Sequence, residues 1–168
     1  SLPKKVFNAP HPNQHNSFGE SYGQHREFLE FDRDQHKELK EFCDSIEIGY
    51  SCSVWDVTSA KDIISLNPPM IKVPSACNTN KKILGYLCDH FPGEIHISLG
   101  MTNHQEEQGI LELLKNKNRH KDAVLYACTS GYPVPPEDVC LLEITRLKNS
   151  YKNDVKANYE VYTGESTK

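Results

Sequence analysis

Small polar and charged side chains follow four short apolar segments of this sequence, close to where strands are predicted to end. The set comprises hydroxyls, one phenol and one lysine: Ser53, Lys72, Ser75, Ser98, Ser130 and Tyr132. Hydroxyls donate hydrogen bonds to phosphate or carboxylate oxygens, and a lysine adds a positive charge. The set therefore predicts a site for an anionic substrate.

Lys72 stands out because it lies between Ile71 and Val73 in a short apolar segment. A lysine is rarely placed in a buried strand without a task, although a lysine at a sheet edge can extend its ammonium to water. Each serine has an ordinary alternative role as a helix cap. On strand alternation His96 shares a face with Ser98, and we interpret it as an interior histidine with satisfied hydrogen bonds.

The elements that would position these residues alternate between strands and helices. Strands are predicted at 48–54, 70–74, 94–99, 123–129 and 155–162. Helices are predicted from Asp34 to about Ile46, at 58–65, from Thr79, after a cap at Thr102 or Asn103, and across 142–151. This alternation predicts an α/β fold with about five βα units of parallel sheet, whose active site forms at the carboxyl ends of the strands.

Periodicity alone does not distinguish an open sheet from a closed barrel. The sequence contains neither G-x-G-x-x-G nor G-x-x-x-x-G-K-[ST], so a nucleotide-binding open sheet has no positive support.

Residues 1–31 are rich in Pro, Asn, Gly and Ser and are predicted to form a long polar loop. In the helix that follows, Leu39, Phe42 and Ile46 are predicted to face inward.

Composition and charge limit the classes of binding partner that the sequence allows. The net charge is −4 and no dense Lys/Arg block occurs, which argues against a nucleic acid. No apolar run reaches the roughly 20 residues of a membrane span, and the polar N-terminus has no signal-peptide core, so a cytoplasmic location is expected. The six cysteines form no C-x-x-C pair and are predicted to be small buried hydrophobic residues.

Five motifs occur in an order and spacing that resemble those of the sialic acid synthases, the family of N-acetylneuraminate synthases and spore-coat polysaccharide enzymes. The likeness runs from about residue 17 to 157. The motifs are Phe18-Gly-Glu-Ser-Tyr-Gly-Gln-His-Arg-Glu27, Ser51-Cys-Ser-Val-Trp-Asp56, Lys72-Val-Pro-Ser75 with Asn78 and Asn80, Ser98-Leu-Gly-Met101, and Cys128-Thr-Ser-Gly-Tyr-Pro-Val-Pro-Pro-Glu-Asp138.

The resemblance implies an aldolase-type TIM (β/α) barrel. It also implies a condensation of phosphoenolpyruvate with N-acetylmannosamine or a related amino sugar to a nonulosonic acid. Ser53, Lys72, Ser75 and Ser98 match positions that hold phosphoenolpyruvate, with Lys72 as the catalytic lysine. Ser130 stands where many members carry Asn, and Tyr132 matches the tyrosine that faces the sugar. A divalent metal, Mn or Mg, and a homodimer are further implications.

This sequence also departs from the family pattern. A glutamate motif and a lysine of the first two family strands would precede residue 1. The first of the metal-binding histidines, expected in a motif soon after Ala157, does not occur. We therefore expect residues 32–168 to form an incomplete barrel without metal ligands, without the C-terminal antifreeze-like domain, and without condensation activity of their own. The alternatives are a non-catalytic half-barrel that binds a ligand or another subunit, and another phosphate-handling barrel aldolase or lyase.

Overall fold

The computed structural model describes residues 3–131, 133–151 and 154–160, with side chains as far as residue 157. The chain divides into two compact units, Ser1–Glu38 and Leu39–Lys168. No helix among the described residues is long and apolar enough to cross a membrane.

The first unit contains two helices where a long loop was predicted. These are α1, Lys4–Phe7, and α2, Tyr22–Leu29, with a 3-10 turn at Gln14–Asn16 between them. Ser21 begins α2 with a capping box, in which its side chain accepts from the Gln24 backbone and the Gln24 side chain accepts from the Ser21 backbone. That pair was the local signal for a helix start. The loop prediction is therefore wrong for Lys4–Phe7 and Tyr22–Leu29.

The second unit is built on four parallel strands in the order β1-β2-β3-β4. They are β1, Met70–Val73; β2, Glu94–Ser98; β3, Ala123–Cys128; and β4, Lys156–Glu160. The strand predicted at 48–54 is wrong, because that segment makes only one bridge, from Ser53 to Lys72. The last two residues of the strand predicted at 155–162 lie outside the described residues. Among the described residues the sheet therefore has four strands rather than five.

Five helices follow α2 among the described residues. They are α3, Arg33–Ser45; α4, Val57–Ser65; α5, Lys81–His90; α6, His104–Asn116; and α7, Leu142–Tyr151. Of these, α4 to α7 alternate with the strands as predicted. Three begin at a side-chain cap, because Asp56, Asn80 and Asn103 accept hydrogen bonds from backbone amides in the first turns of α4, α5 and α6. Of the two caps predicted for α6, Asn103 is the one used.

The core lies on one face of the sheet. Ile71, Val73, Ile95, Ile97 and Leu125 are fully buried in one cluster with apolar side chains of α4 to α7. Burying a side chain of this size contributes about 1.5–3 kcal/mol. Because side chains alternate along a strand, the intervening residues of β1 to β3 project from the opposite face. That opposite face carries the polar residues of the strands.

The apolar stripe of α3 does not face inward as predicted. Leu39, Phe42 and Ile46 are 37%, 62% and 48% exposed. The spacing of apolar residues predicted the helix itself, but periodicity carries no information about the surface that a stripe meets.

The cysteine prediction is correct in part. All six thiols are free, but only Cys88 is buried, Cys140 is exposed, and the other four are partly exposed. Cys52 and Cys77 pack against the margin of the core rather than within it. A small apolar side chain is stable at such a margin as well as in the interior.

A buried network joins α6 to α7. The Glu107 carboxylate, 5% exposed, accepts from both terminal nitrogens of Arg146, at 3.2 and 2.6 Å, and from the Tyr151 hydroxyl. Gln108 donates to the same hydroxyl at 2.8 Å. The paired charges and hydrogen bonds make burial of this carboxylate tolerable.

Candidate active site

Lys72 and Ser53 share one level of the sheet. The Val54 backbone donates to the Lys72 carbonyl at 2.9 Å, and the Lys72 backbone donates to the Cys52 carbonyl at 3.1 Å. This parallel bridge places Ser53 beside Lys72, with both side chains on the face opposite the apolar core. Ser53 is exposed and Lys72 is half-buried. The structure therefore brings these two predicted site residues together.

Ser75, Gly100 and Ser130 converge at the carboxyl ends of β1, β2 and β3. The Gly100 backbone donates to the Ser75 hydroxyl oxygen at 3.2 Å. A Cβ added at Gly100 would lie 2.5 Å from the Ser130 hydroxyl oxygen and 2.6 Å from that of Ser75. Both hydroxyls therefore crowd around one point, which only a glycine leaves open.

Cys128 links this cluster to a neighbouring cleft. Its sulfur lies 3.6 Å from the Ser75 hydroxyl oxygen. The cleft has a volume of about 530 Å³, and Thr102, Cys128, Thr129 and Glu143 are among the residues that line it. The Ser75 hydroxyl thus lies beside a space of the size of a small-molecule site.

Asn78 fixes the loop between β2 and α6. Its amide nitrogen lies 3.0 Å from the Ser98 carbonyl, 3.2 Å from the Gly100 carbonyl and 2.6 Å from the Thr102 hydroxyl. Asn78 is 4% exposed. A buried amide with several partners holds a loop firmly because losing any partner leaves a buried polar group unsatisfied.

Ser98 lies on the same face of the sheet as His96, as predicted, but its side chain is buried. It is 1% exposed and is level with Tyr126 of β3. Its hydroxyl is therefore less accessible to a ligand than those of Ser53 and Ser130, which are exposed. Tyr132, the remaining predicted site residue, lies outside the described residues.

A line of polar contacts crosses the same face of the sheet. His96 Nδ1 lies 2.8 Å from the Tyr126 hydroxyl, and His96 Nε2 lies 3.2 Å from Glu94 Oε2. Lys156 donates to the other oxygen of Glu94. The hydrogen bond from Lys156, followed by that from His96, lowers the pKa of the Glu94 carboxyl. The interpretation of His96 as a satisfied interior histidine is confirmed.

Three residues of this site escaped the sequence reasoning. Asn78 and Gly100 lie within the family motifs and Tyr126 lies in the fourth predicted strand, but the sequence predicts no role for them. Their roles depend on the register of strands distant in sequence, which places Tyr126 level with Ser98. A glycine two residues after Ser98, the residue that ends β2, was the available signal for a close approach.

The described residues do not provide a metal centre. Within the part of the chain that the structure describes, no three His, Cys, Asp or Glu side chains are grouped as metal ligands. The hydroxyls of Ser53, Ser75 and Ser130 are not the carboxylate and imidazole donors that Mn²⁺ or Mg²⁺ takes from proteins.

Four parallel strands flanked by helices define an α/β protein, in which a lysine and several hydroxyls lie near the carboxyl ends of the strands, where active sites of such folds form. The NeuB family profile matches residues 2–159, so the chain belongs to the NeuB family. The sialic acid synthase family indicated by the motifs is thereby confirmed.

Two characterised relatives illustrate the likeness. The N-acetylneuraminate-9-phosphate synthase of Drosophila melanogaster is 30% identical over 138 residues, which cover 82% of this chain and 36% of that protein. The N,N'-diacetyllegionaminic acid synthase of Campylobacter jejuni is 30% identical over 152 residues, covering 90% of this chain and 45% of that protein. The chain thus spans less than half the length of these relatives.

Solved structures confirm the fold class. The N-acetylneuraminic acid synthetase of Leptospira borgpetersenii superposes with a TM-score of 0.78 at 22% identity, covering 87% of this chain and 50% of that one. The spore coat polysaccharide biosynthesis protein spsE of Bacillus subtilis gives a TM-score of 0.73 at 18% identity, covering 80% of this chain and 37% of that one. These likenesses establish a shared fold.

Proposed function

We propose that this chain provides the phosphoenolpyruvate-binding edge of a NeuB-family synthase. The reaction would condense phosphoenolpyruvate with N-acetylmannosamine or a related amino sugar to give a nonulosonic acid. Relatives named as synthases of N-acetylneuraminate 9-phosphate, diacetyllegionaminic acid and pseudaminic acid support the reaction class. The homodimer and the cytoplasmic location stay predictions.

The observation that carries the proposal is the convergence of the Ser75 and Ser130 hydroxyls around Gly100. The Ser75 oxygen already accepts from the Gly100 backbone, so its own proton remains available for donation. In this structure that proton is directed at the Cys128 sulfur, a weak acceptor. A phosphate or carboxylate oxygen would displace this weak contact because it is a much stronger acceptor.

Lys72 supplies the positive charge in this proposal. Its ammonium would offset the charge of the bound phosphate and would stabilise the negative charge that grows on phosphate when the C–O bond breaks. Ser53 beside it and Ser130 across the edge would add hydrogen bonds from exposed hydroxyls. Ser98, being buried, would support the floor of the site.

Isothermal titration calorimetry of the 168-residue chain with phosphoenolpyruvate tests the proposal. Removing a charged hydrogen-bond donor costs about 1.5–3 kcal/mol, so Lys72→Ala should weaken binding by about tenfold or more. Lys82→Ala, which removes an exposed lysine of α5, is the matched control and should bind as the wild type does. Equal affinity of the wild type and Lys72→Ala would overturn the role of Lys72.

A non-catalytic ligand-binding role for the chain is the second candidate. The observation in its favour is that no three potential metal ligands are grouped among the described residues. Phosphate release can be measured with the chain, manganese, phosphoenolpyruvate and N-acetylmannosamine. We expect no release above the uncatalysed rate, and release at enzymic rates would eliminate this second candidate.

A further inference from the structure

The side chain of Lys72 reaches diagonally across the sheet. In the register of the strands, Lys72 of β1 is level with His96 of β2, and His96 is level with Val124 of β3. Tyr126 lies two residues closer to the carboxyl edge than Val124, two strands away from β1. Nevertheless, Lys72 Nζ lies 5.9 Å from the centre of the Tyr126 ring. The ammonium therefore contacts the ring of a residue two strands away on the polar face of the sheet.

The Tyr126 ring is itself held in place by polar contacts. Its hydroxyl lies 2.8 Å from His96 Nδ1, and His96 Nε2 lies 3.2 Å from the Glu94 carboxylate. Lys156 donates to that carboxylate from β4. The direct contact from His96 therefore orients the ring, and Glu94 and Lys156 support His96 in turn.

We propose that Tyr126 is a positioning residue that restrains the Lys72 ammonium on the polar face of the sheet for binding of the proposed anionic substrate. This inference rests on the proposed function, because it deepens the role of Lys72. An aromatic ring attracts a cation to its face at distances up to about 6 Å. A lysine restrained in this way loses less conformational freedom when an anion binds.

The experiment is a double-mutant cycle on phosphoenolpyruvate binding, measured by calorimetry on the full chain. The variants are Tyr126→Leu, Lys72→Ala and the double variant. Tyr126→Leu should weaken binding by about threefold to tenfold, as expected for a cation–ring contact. In the Lys72→Ala background the same change should have no further effect, because the group that Tyr126 positions is gone.

Two further variants separate positioning from folding. Tyr126→Phe keeps the ring and removes the hydroxyl bound to His96. It should therefore lose less than half of the binding free energy that Tyr126→Leu loses. Tyr86→Leu removes a comparable pair, in which Lys61 Nζ lies 5.6 Å from the Tyr86 ring, and should leave binding unchanged. Circular dichroism confirms that each variant folds.

A ligand-free measurement keeps the inference testable even if phosphoenolpyruvate does not bind. The aromatic ring should shift the ε-methylene protons of Lys72 upfield in a carbon–proton correlation spectrum, with the signal assigned by its loss in Lys72→Ala. Tyr126→Leu should abolish that shift. An unshifted Lys72 signal in the wild type, or equal weakening by Tyr126→Leu in both backgrounds, would overturn the positioning role. If Lys72→Ala and the double variant both bound phosphoenolpyruvate as the wild type does, the proposed function would be refuted instead.

Discussion

The backbone N–H of Gly100 donates to the hydroxyl oxygen of Ser75 across 3.2 Å, and this bond joins the loop after β2 to the turn after β1. Gly100 is buried, and both the Ser75 and Ser130 hydroxyls lie within 2.6 Å of the point where its Cβ would be. The absence of a side chain at this position therefore shapes the candidate site directly.

Gly100→Ala should fill the space between the two hydroxyls. A Cβ essentially never approaches heavy atoms so closely, so Ser75 and Ser130 must move, and phosphoenolpyruvate binding should weaken by about tenfold or more. Calorimetry measures the change. Gly109→Ala is the matched control, because nothing lies within 4 Å of a Cβ at that position of α6.

The control should also gain stability, because alanine is favoured over glycine in a helix by about 1 kcal/mol. Undiminished binding by Gly100→Ala, with Gly109→Ala behaving as expected, would show that the Ser75 and Ser130 hydroxyls do not bind the ligand.

Asn78→Ala should loosen the loop between β2 and α6. The variant leaves the buried Ser98 and Gly100 carbonyls without their amide partner, which costs about 1–3 kcal/mol in the free energy of unfolding. Urea denaturation measures this cost. Asn80→Ala removes the cap of α5 and should cost about 1 kcal/mol.

Asn78→Ala and Asn80→Ala should differ more in phosphoenolpyruvate affinity than in the free energy of unfolding. Asn78→Ala should also reduce phosphoenolpyruvate affinity, because Gly100 is no longer fixed, whereas Asn80→Ala should not. If both variants bind equally well, Asn78 serves stability alone.

The sequence was sufficient for elements whose signals are local. Helices α4, α5 and α6 follow from apolar spacing and from capping side chains such as Asp56 and Asn103. β1 to β3 follow from short apolar segments bounded by turn residues, and the motif around Lys72 indicated the family. In each case neighbouring residues carry the information that determines the structure.

Features that depend on distant residues could not be predicted in the same way. The segment at 48–54 has the composition of a strand, but it pairs only at Ser53, because strand formation depends on the partner edge as well as on propensity. The contact of Lys72 with Tyr126 depends on the register of β1, β2 and β3 together. The helix α2 was overlooked although its capping box is local.

Glu107→Ala should destabilise the packing of α7 on α6. The change leaves the Tyr151 hydroxyl without its carboxylate and removes one of the two acids paired with Arg146. Because the carboxylate is almost fully buried, we expect a loss of about 3 kcal/mol in the free energy of unfolding by urea. Glu112→Ala, at an exposed position of the same helix, should change stability by less than about 0.5 kcal/mol. Similar losses for the two variants would contradict the role of the network.

Tyr151 should make stability fall in alkaline solution. Burial, followed by the hydrogen bond with Glu107, raises the pKa of Tyr151 to about 12 from its ordinary value of 10.0. A raised folded-state pKa contributes stability that is fully present below about pH 10 and is lost as pH rises toward about 12. Urea denaturation at several pH values should show this decline, and Tyr151→Phe should make it shallower. Identical pH slopes for the two proteins would contradict the assignment.

The most direct test of the central claim is a nitrogen–proton correlation spectrum of the 168-residue chain titrated with phosphoenolpyruvate. We predict saturable shifts of the backbone amides of Lys72, Ser75 and Gly100, which are lost in Lys72→Ala and retained in Lys82→Ala. Amides of the exposed face of α6, such as Glu112, should not move. Shifts absent from the carboxyl edge, or unchanged by Lys72→Ala, would contradict the claim that this edge binds phosphoenolpyruvate.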